Sequence, residues 1–339
     1  MTYSPNFSDP RVIRRCRRAL GFLVSHLHPR KPKLYSRDGL DRYLGKSSNP
    51  LSAYIRAECL TCVDTHYNME TGKPKRYLLN LTGFDHIQEA IGLVGVDPKT
   101  IAVRAMLDIH GDTIRSGNFK YKDKSHRRWN SIQNISSEIR GRVFADCGYA
   151  WNYDIENSAP TLLHQYARSC GLNSSLHTIE DLLVNKHQRR QELANRIGCD
   201  VNNAKQIIAA RFAGATLRWG NSLHTQTLHN NNLQFGRLKD DVWFADLSED
   251  LRKLWIAIKS DTPYTRLTAR HKWGIYFSLE RSVINSCERV IKRHKCQYFL
   301  EHDGFRTNDY IDPYKFKLEV KKQTGYNVDF SLNICESDV

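Results

Sequence analysis

Two short, aromatic, strand-like segments, 149–155 (YAWNYDI) and 297–307 (QYFLEHDGFRT), lie far apart with mostly helix-patterned chain between them. This constrains the fold more than any other feature. If the two segments pair, everything between them becomes a helical insertion in a sheet. Ser158 and Pro160 start a helix that stops at Gly171, and residues 178–217 are mostly helical. Residues 218–236, rich in Asn and His, read as an exposed loop, and 237–295 as a helical hairpin. In QYFLEHDGFRT two strands meet at His302-Asp303-Gly304. Asp312-Pro313 caps a last helix ending at Gly325, and Val328, Phe330 and Leu332 alternate as an edge strand.

The first part of the chain is more helical. Asp9-Pro10 caps a helix running to about Leu27, with Ile13, Cys16, Leu20, Leu23 and Leu27 on its apolar face. Residues 30–50 read as loop, and a second helix is expected over Leu51–His66. A turn at Gly72-Lys73-Pro74 leads into a strand, and Asp97-Pro98 caps a helix expected to stop by Gly111. Residues 116–128 interleave basic and aromatic side chains. Trp129, Ile132, Ile135, Ile139 and Val143 then keep helical spacing, with Arg127, Arg128, Arg140 and Arg142 beside them. The expected plan is α+β: a small antiparallel sheet, helices on one face, and a helical insertion between strands. A length of 339 residues allows one large domain or two to three subdomains.

Charge narrows the partners. Lys plus Arg number 51 against 36 Asp plus Glu, a net +15 that attracts polyanions. Arg11, Arg14, Arg15, Arg17 and Arg18 crowd one helix and would repel one another without an anionic partner, so phosphate contact is expected there. No apolar run approaches the roughly 20 residues that span a bilayer, and arginine spread through the first helix does not suit a signal peptide. Nine cysteines without framework spacing suit reduced thiols. The expectation is a soluble cytoplasmic protein with no membrane partner. Cys59, Cys62 and His66 resemble part of a zinc site, but no second CxxC or HxxxH completes it; inward packing on a helix is the plainer reading.

Chemistry centres on two carboxylates. Asp154 ends a strand that runs into a helix, and Asp303 sits at a hairpin tip. Alone, Asp303 before Gly304 reads as an ordinary turn residue. Held on adjacent strands, the pair would bind Mg²⁺, a hard cation that takes oxygen ligands and keeps waters for phosphates. Between them, Lys205, Ala209, Phe212 and Ala213 share one side of a helix, a cation above small residues with room for a planar, phosphate-bearing ligand. That helix alone also reads as an ordinary amphipathic one with a surface lysine.

In order along the chain, YDIENSAPTLLHQ, NAKQIIAARFAGA and YFLEHDGFRT resemble motifs A, B and C of the family A DNA polymerases and the related bacteriophage-type single-subunit RNA polymerases. The resemblance covers roughly 140–339. It implies a right-hand polymerase: a helical, thumb-like nucleic-acid-binding region over 1–125, palm over 126–175 and 263–339, and helical fingers over 176–262. It implies two divalent ions, Mg²⁺ or Mn²⁺, held by Asp154, Asp303 and the Ile155 backbone carbonyl. Lys205 would contact the incoming triphosphate and protonate the leaving pyrophosphate, and His302 would sit near the primer end. Asn157, Ala159, Phe212 and Gly214 would border the nucleotide. Arg14, Arg17, Arg18, Arg127, Arg128 and Arg140 are the expected nucleic-acid contacts. Implied partners are primer, template and nucleoside triphosphates. The implied role is a compact phage, plasmid or mobile-element replicase, in a bacterial or phage-infected host cytosol, making DNA or an RNA primer or transcript.

The chain departs from the family at several positions. Val201 stands where motif B usually has Arg, and Ala209 and Ala213 stand where it has aromatic residues. Ala159 stands where many DNA polymerases have a Glu that blocks the ribose 2′-hydroxyl. Two other readings remain at this point. One is a metal-dependent nuclease built on Asp312 and the Glu319-x-Lys321 triplet. The other is a non-catalytic nucleic-acid-binding replication initiator.

Overall fold

The computed structural model describes residues 3–26, 33–35, 40, 44, 46, 48–63, 75–93, 95–124, 126–219, 222–228 and 231–335. It is helix-rich, with small antiparallel sheets. Helix α1 (Pro10–His26) buries Cys16, Ala19, Leu20 and Leu23 and packs on α4 (Pro98–Ser116). Between them come β1 (Lys33–Tyr35), α2 (Pro50–Cys59), β2 (Leu60–Cys62), β3 (Lys75–Leu79) and α3 (Leu81–Ala90). The three strands form one antiparallel sheet in the order β1-β3-β2.

Several local expectations are corrected here. The second helix ends at Cys59, because Leu60–Cys62 pairs with β3. Part of the expected loop over 30–50 is strand β1. His66 and the turn at 72–74 lie outside the described residues; Cys59 is buried and Cys62 exposed. The helix expected to stop by Gly111 continues to Ser116. Its stop is Gly117, whose φ of 67° lies in the left-handed region glycine tolerates.

The middle of the chain begins with a ribbon, β4 (Lys122–Lys124) against β5 (Arg127–Trp129). A short 3₁₀ turn (Ser131–Asn134) and α5 (Ser137–Asp146) follow, so the helical spacing from Trp129 to Val143 divides among a strand and two helical pieces. Then come β6 (Trp151–Ile155), α6 (Ser158–Ser169), α7 (His177–Val184), α8 (Lys186–Ile197) and α9 (Val201–Phe212). The expected loop over 218–236 holds α10 (Leu223–Thr227) and the start of α11 (Asn232–Asp240). Two long helices, α12 (Val242–Ser260) and α13 (Ala269–Arg293), occupy the interval expected as a helical hairpin, and each packs on α6 rather than mainly on the other. The chain closes with β7 (Tyr298–Leu300), β8 (Gly304–Thr307), α14 (Pro313–Thr324) and β9 (Phe330–Ile334).

The last four strands make one antiparallel sheet in the order β7-β8-β6-β9. Alternation gives it two chemically different faces. On β6, Tyr153 and Ile155 enter the core. Tyr153 stacks on Phe305 at 5.0 Å, and Phe316 of α14 meets both rings edge-on. Such aromatic pairs add about 0.5–1.5 kcal/mol each beyond area burial. The opposite face carries Asn152, Asp154 and Arg306, with Asn152 paired to Arg306 and Asp154 to Gly304 across the strands. Helices α6 to α9 and α11 to α14 share the larger hydrophobic core with this sheet's inner face, and a second core lies under α1 and α4. Phe299 of β7 belongs to the second core, 4.8 Å from Phe119 and 4.6 Å from Phe144.

Candidate active site

Asp154 and Asp303 come together on the polar face of the sheet. The Ile155 N–H donates to the Asp303 carbonyl at 2.9 Å, which ties the hairpin tip to the end of β6. Gly304 lets them approach. A Cβ there would lie 2.3 Å from the Tyr153 carbonyl oxygen and 2.4 Å from Asp154 Oδ1. The glycine is therefore required by the neighbouring strand and carboxylate. Asp154 is half-buried and Asp303 exposed.

Like charges crowd the two carboxylates. Burial, then the nearby charges of Asp303 and Glu301, push the Asp154 carboxyl up to about 6 against a weaker pull from Arg306. The Asn152 amide donates to Asp154 Oδ2 at 3.2 Å. Glu301 is already committed: Arg140 lies 2.7 Å and Arg306 2.6 Å from its carboxylate. Burial pushes Glu301 up, but those two guanidiniums outweigh it and hold it below the usual carboxylate range. Among the described residues no group of three or more His, Cys, Asp or Glu side chains forms a ready metal cage. Two oxygen-donor carboxylates of like charge still fit a hard divalent ion that completes its shell with water and phosphate.

The same cavity, about 550 Å³, also has basic lining. Lys205 of α9 lines it, as do Lys186 and Arg190 of α8, one helical turn apart on a shared face. Burial, then Arg190 and Lys205, pull the Lys186 ammonium down, although it pairs with Glu156. Burial also lowers Arg190, whose Nε is buried without a partner and whose Nη2 donates to Asn157 Oδ1 at 3.3 Å. A crowd of cations with one orphaned donor is suited to an anion. Lys186 and Arg190 did not stand out in the sequence. Their spacing of four was visible, but the start of α8 at Lys186 carries no side-chain cap to mark it.

Asn157 makes the turn from β6 into α6. Its φ of 48° is left-handed, a conformation asparagine tolerates better than most residues. Ile155, Asn157, Ala159 and Phe212 border the cavity along with Asp154, Asp303 and Lys205. Tyr276 of α13 also reaches it, its hydroxyl donating to Ser158 Oγ at 3.1 Å. Gly214 does not line this cavity; it faces Lys272 instead. His302 lines an adjoining small pocket with its ring 4.3 Å from Trp129. Its Nδ1 is buried and unpartnered, and burial, then Arg127, keep the ring below its usual pKa.

The arginines need revision. Arg127 pairs with Glu280 and Arg128 with Glu288, each at 2.6 Å, and Arg140 holds Glu301. These three guanidiniums tie the ribbon, α13 and the β7–β8 turn together. On α1, Arg17 lies 3.2 Å from Asp108, and Arg18 donates to the Asp108 carbonyl at 3.4 Å. Internal partners thus relieve part of the expected repulsion, while Arg14 stays exposed. The nuclease-type set does not assemble. Asp312 caps α14 through the Tyr314 N–H, and Glu319 on that helix binds Arg293 at 2.7 Å. No helix among the described residues is long and apolar enough to cross a membrane.

No family model matches the chain, and no curated protein matches it. Among solved structures it is similar to the POL domain of Pol1 from M. smegmatis, a complex with DNA primer-template and dNTP. Identity is 11% and the TM-score 0.42, over 96% of this chain and 66% of that one. The chain thus spans just under two thirds of that neighbour's length. A likeness this distant leaves the chemistry to the chain's own residues.

Proposed function

We propose that the protein is a template-directed nucleic-acid polymerase that transfers nucleotides from nucleoside triphosphates. One observation carries the reading: Asp154 of β6 and Asp303 of the turn between β7 and β8 line one cavity together with Lys186, Arg190 and Lys205. That layout suits a triphosphate held at one end by cations and at its reacting end by carboxylates. The ordered resemblance to motifs A, B and C adds support.

Asp154 and Asp303, with the Ile155 carbonyl, would hold two divalent cations, Mg²⁺ or Mn²⁺. Bound there, the ions supply charge neutralisation for the attacking and leaving oxygens of an in-line displacement. Lys186 and Arg190 bind the outer phosphates. Lys205 orients the triphosphate and gives a proton to the departing pyrophosphate. Asn157, Ala159 and Phe212 bound the sugar and base, and His302, set against Trp129, borders the primer end. The sheet β7-β8-β6-β9 acts as palm, α7–α12 as fingers and the N-terminal helices as thumb. Ala159 leaves no carboxylate against a ribose 2′-hydroxyl, so ribonucleotides are accepted beside or instead of deoxynucleotides.

Primer extension with DNA and RNA templates, each with either nucleotide set, plus a primerless control, tests this. The expected result is incorporation that follows the template base and is lost in Asp154→Asn. Strand shortening without nucleotides, or no synthesis on any template, refutes it.

A further inference from the structure

Beside the carboxylate cavity lies an open groove of about 790 Å³ that the proposed chemistry does not use. The start of α13 and the segment before it form its wall. Tyr264 stacks on His271 with ring centroids 4.0 Å apart and planes 8° from parallel. Further along, Trp273 and Phe277 pack at 4.9 Å, and Arg270 and His126 complete the polar lining. Among the described residues no Asp or Glu lines the groove. Tyr264 remains 41% exposed although its ring is apolar.

The groove leads to the site. Trp273 also borders a cavity of about 170 Å³ whose other walls include Ala159 and Phe212. Those two residues border the carboxylate cavity as well. Flat rings interleaved with cations, and free of carboxylates, complement bases stacked along a phosphate backbone. We propose that this groove binds an unpaired nucleic-acid strand, with bases stacking on Tyr264 and Trp273 and phosphates facing Arg270. Identifying that strand as the template ahead of the primer end rests on the polymerase reading; the groove's affinity for single strands does not.

The test is fluorescence anisotropy on the full chain without nucleotide or divalent cation. The probes are labelled single-stranded DNA and RNA of about 12 nucleotides, within the usual span of such grooves, and a blunt DNA duplex. Tyr264→Ala should weaken binding of whichever single strand the protein prefers by about tenfold, the scale of one lost base stack. Duplex affinity should change less than twofold. Gly274→Glu gives a second arm. A Cβ at Gly274 meets only the His126 ring, at 3.8 Å, and Glu favours a helix more than Gly does, so this variant folds. Its carboxylate should also weaken single-strand binding about tenfold, and Gly274→Gln should weaken it less. Unchanged single-strand affinity in both Tyr264→Ala and Gly274→Glu, or equal losses on duplex, would overturn the proposal. Because no nucleotide or cation is present, single-strand binding without template-directed synthesis would count against the polymerase reading alone.

Discussion

Asp154 is where the account is most exposed to test at the scale of one residue. Its folded carboxyl titrates at about 6 against an ordinary 3.8. The folded state therefore holds this proton more tightly than the unfolded chain does. In cation-free buffer the site costs stability as pH rises from about 4 to about 6, and the full cost persists above that. Asp303→Asn removes one cause of the shift. We expect it to raise the melting temperature in chelator by a few degrees at pH 7 and to have no effect below about pH 4, read by calorimetry. The same change should cut nucleotide incorporation at least about a thousandfold, equivalent to about 4 kcal/mol of transition-state stabilisation. Gly304→Ala tests the strand contact. Its methyl would meet the Tyr153 carbonyl and the Asp154 carboxylate, so urea unfolding should show a loss of about 1–3 kcal/mol. Asp154 and Asp303 were legible because each sits where an aromatic strand breaks off. The reason for Gly304 was not. The atoms that exclude a side chain there, on Tyr153 and Asp154, belong to β6, which no local pattern around residue 304 reveals.

At the scale of elements, α8 and the ribbon make different claims. Lys186→Met and Arg190→Met should raise the KM for nucleotide about tenfold or more while leaving affinity for nucleic acid alone unchanged; steady-state kinetics beside anisotropy separates the two. The ribbon's arginines should behave as structure. Glu280 is almost fully buried, and burial holds its carboxyl above the usual range even beside Arg127. Arg127→Met removes its partner and should destabilise the fold by about 3–5 kcal/mol in urea titration. Helix starts with explicit signals were read correctly: α1, α4, α6 and α14 begin at Asp-Pro or Ser-x-Pro. The carboxylate partners of Arg127, Arg128 and Arg140 were not legible for a physical reason. A basic stretch looks the same in sequence whether its partner is phosphate or a carboxylate more than 150 residues away, as Glu280 and Glu288 are.

For the whole molecule, the insertion logic held. Strands far apart in sequence pair in one antiparallel sheet, and helices fill the interval. The strand order was not legible, because placing β6 between β8 and β9 depends on tertiary register. Internal ion pairs engage some of the cations but leave the net +15 unchanged, and exposed arginines such as Arg14 and Arg18 remain for polyanions. Arg14→Ala with Arg18→Ala should weaken binding to DNA of any sequence and flatten its salt dependence by up to about two units of slope. The central claim is that the Asp154 and Asp303 carboxylates bind cations jointly. Electron paramagnetic resonance titration of Mn²⁺, with a non-hydrolysable nucleoside triphosphate present, measures this most directly. Tight binding in the wild-type chain, lost in both Asp154→Asn and Asp303→Asn, is the predicted result. Equal Mn²⁺ affinity in all three proteins would contradict the account.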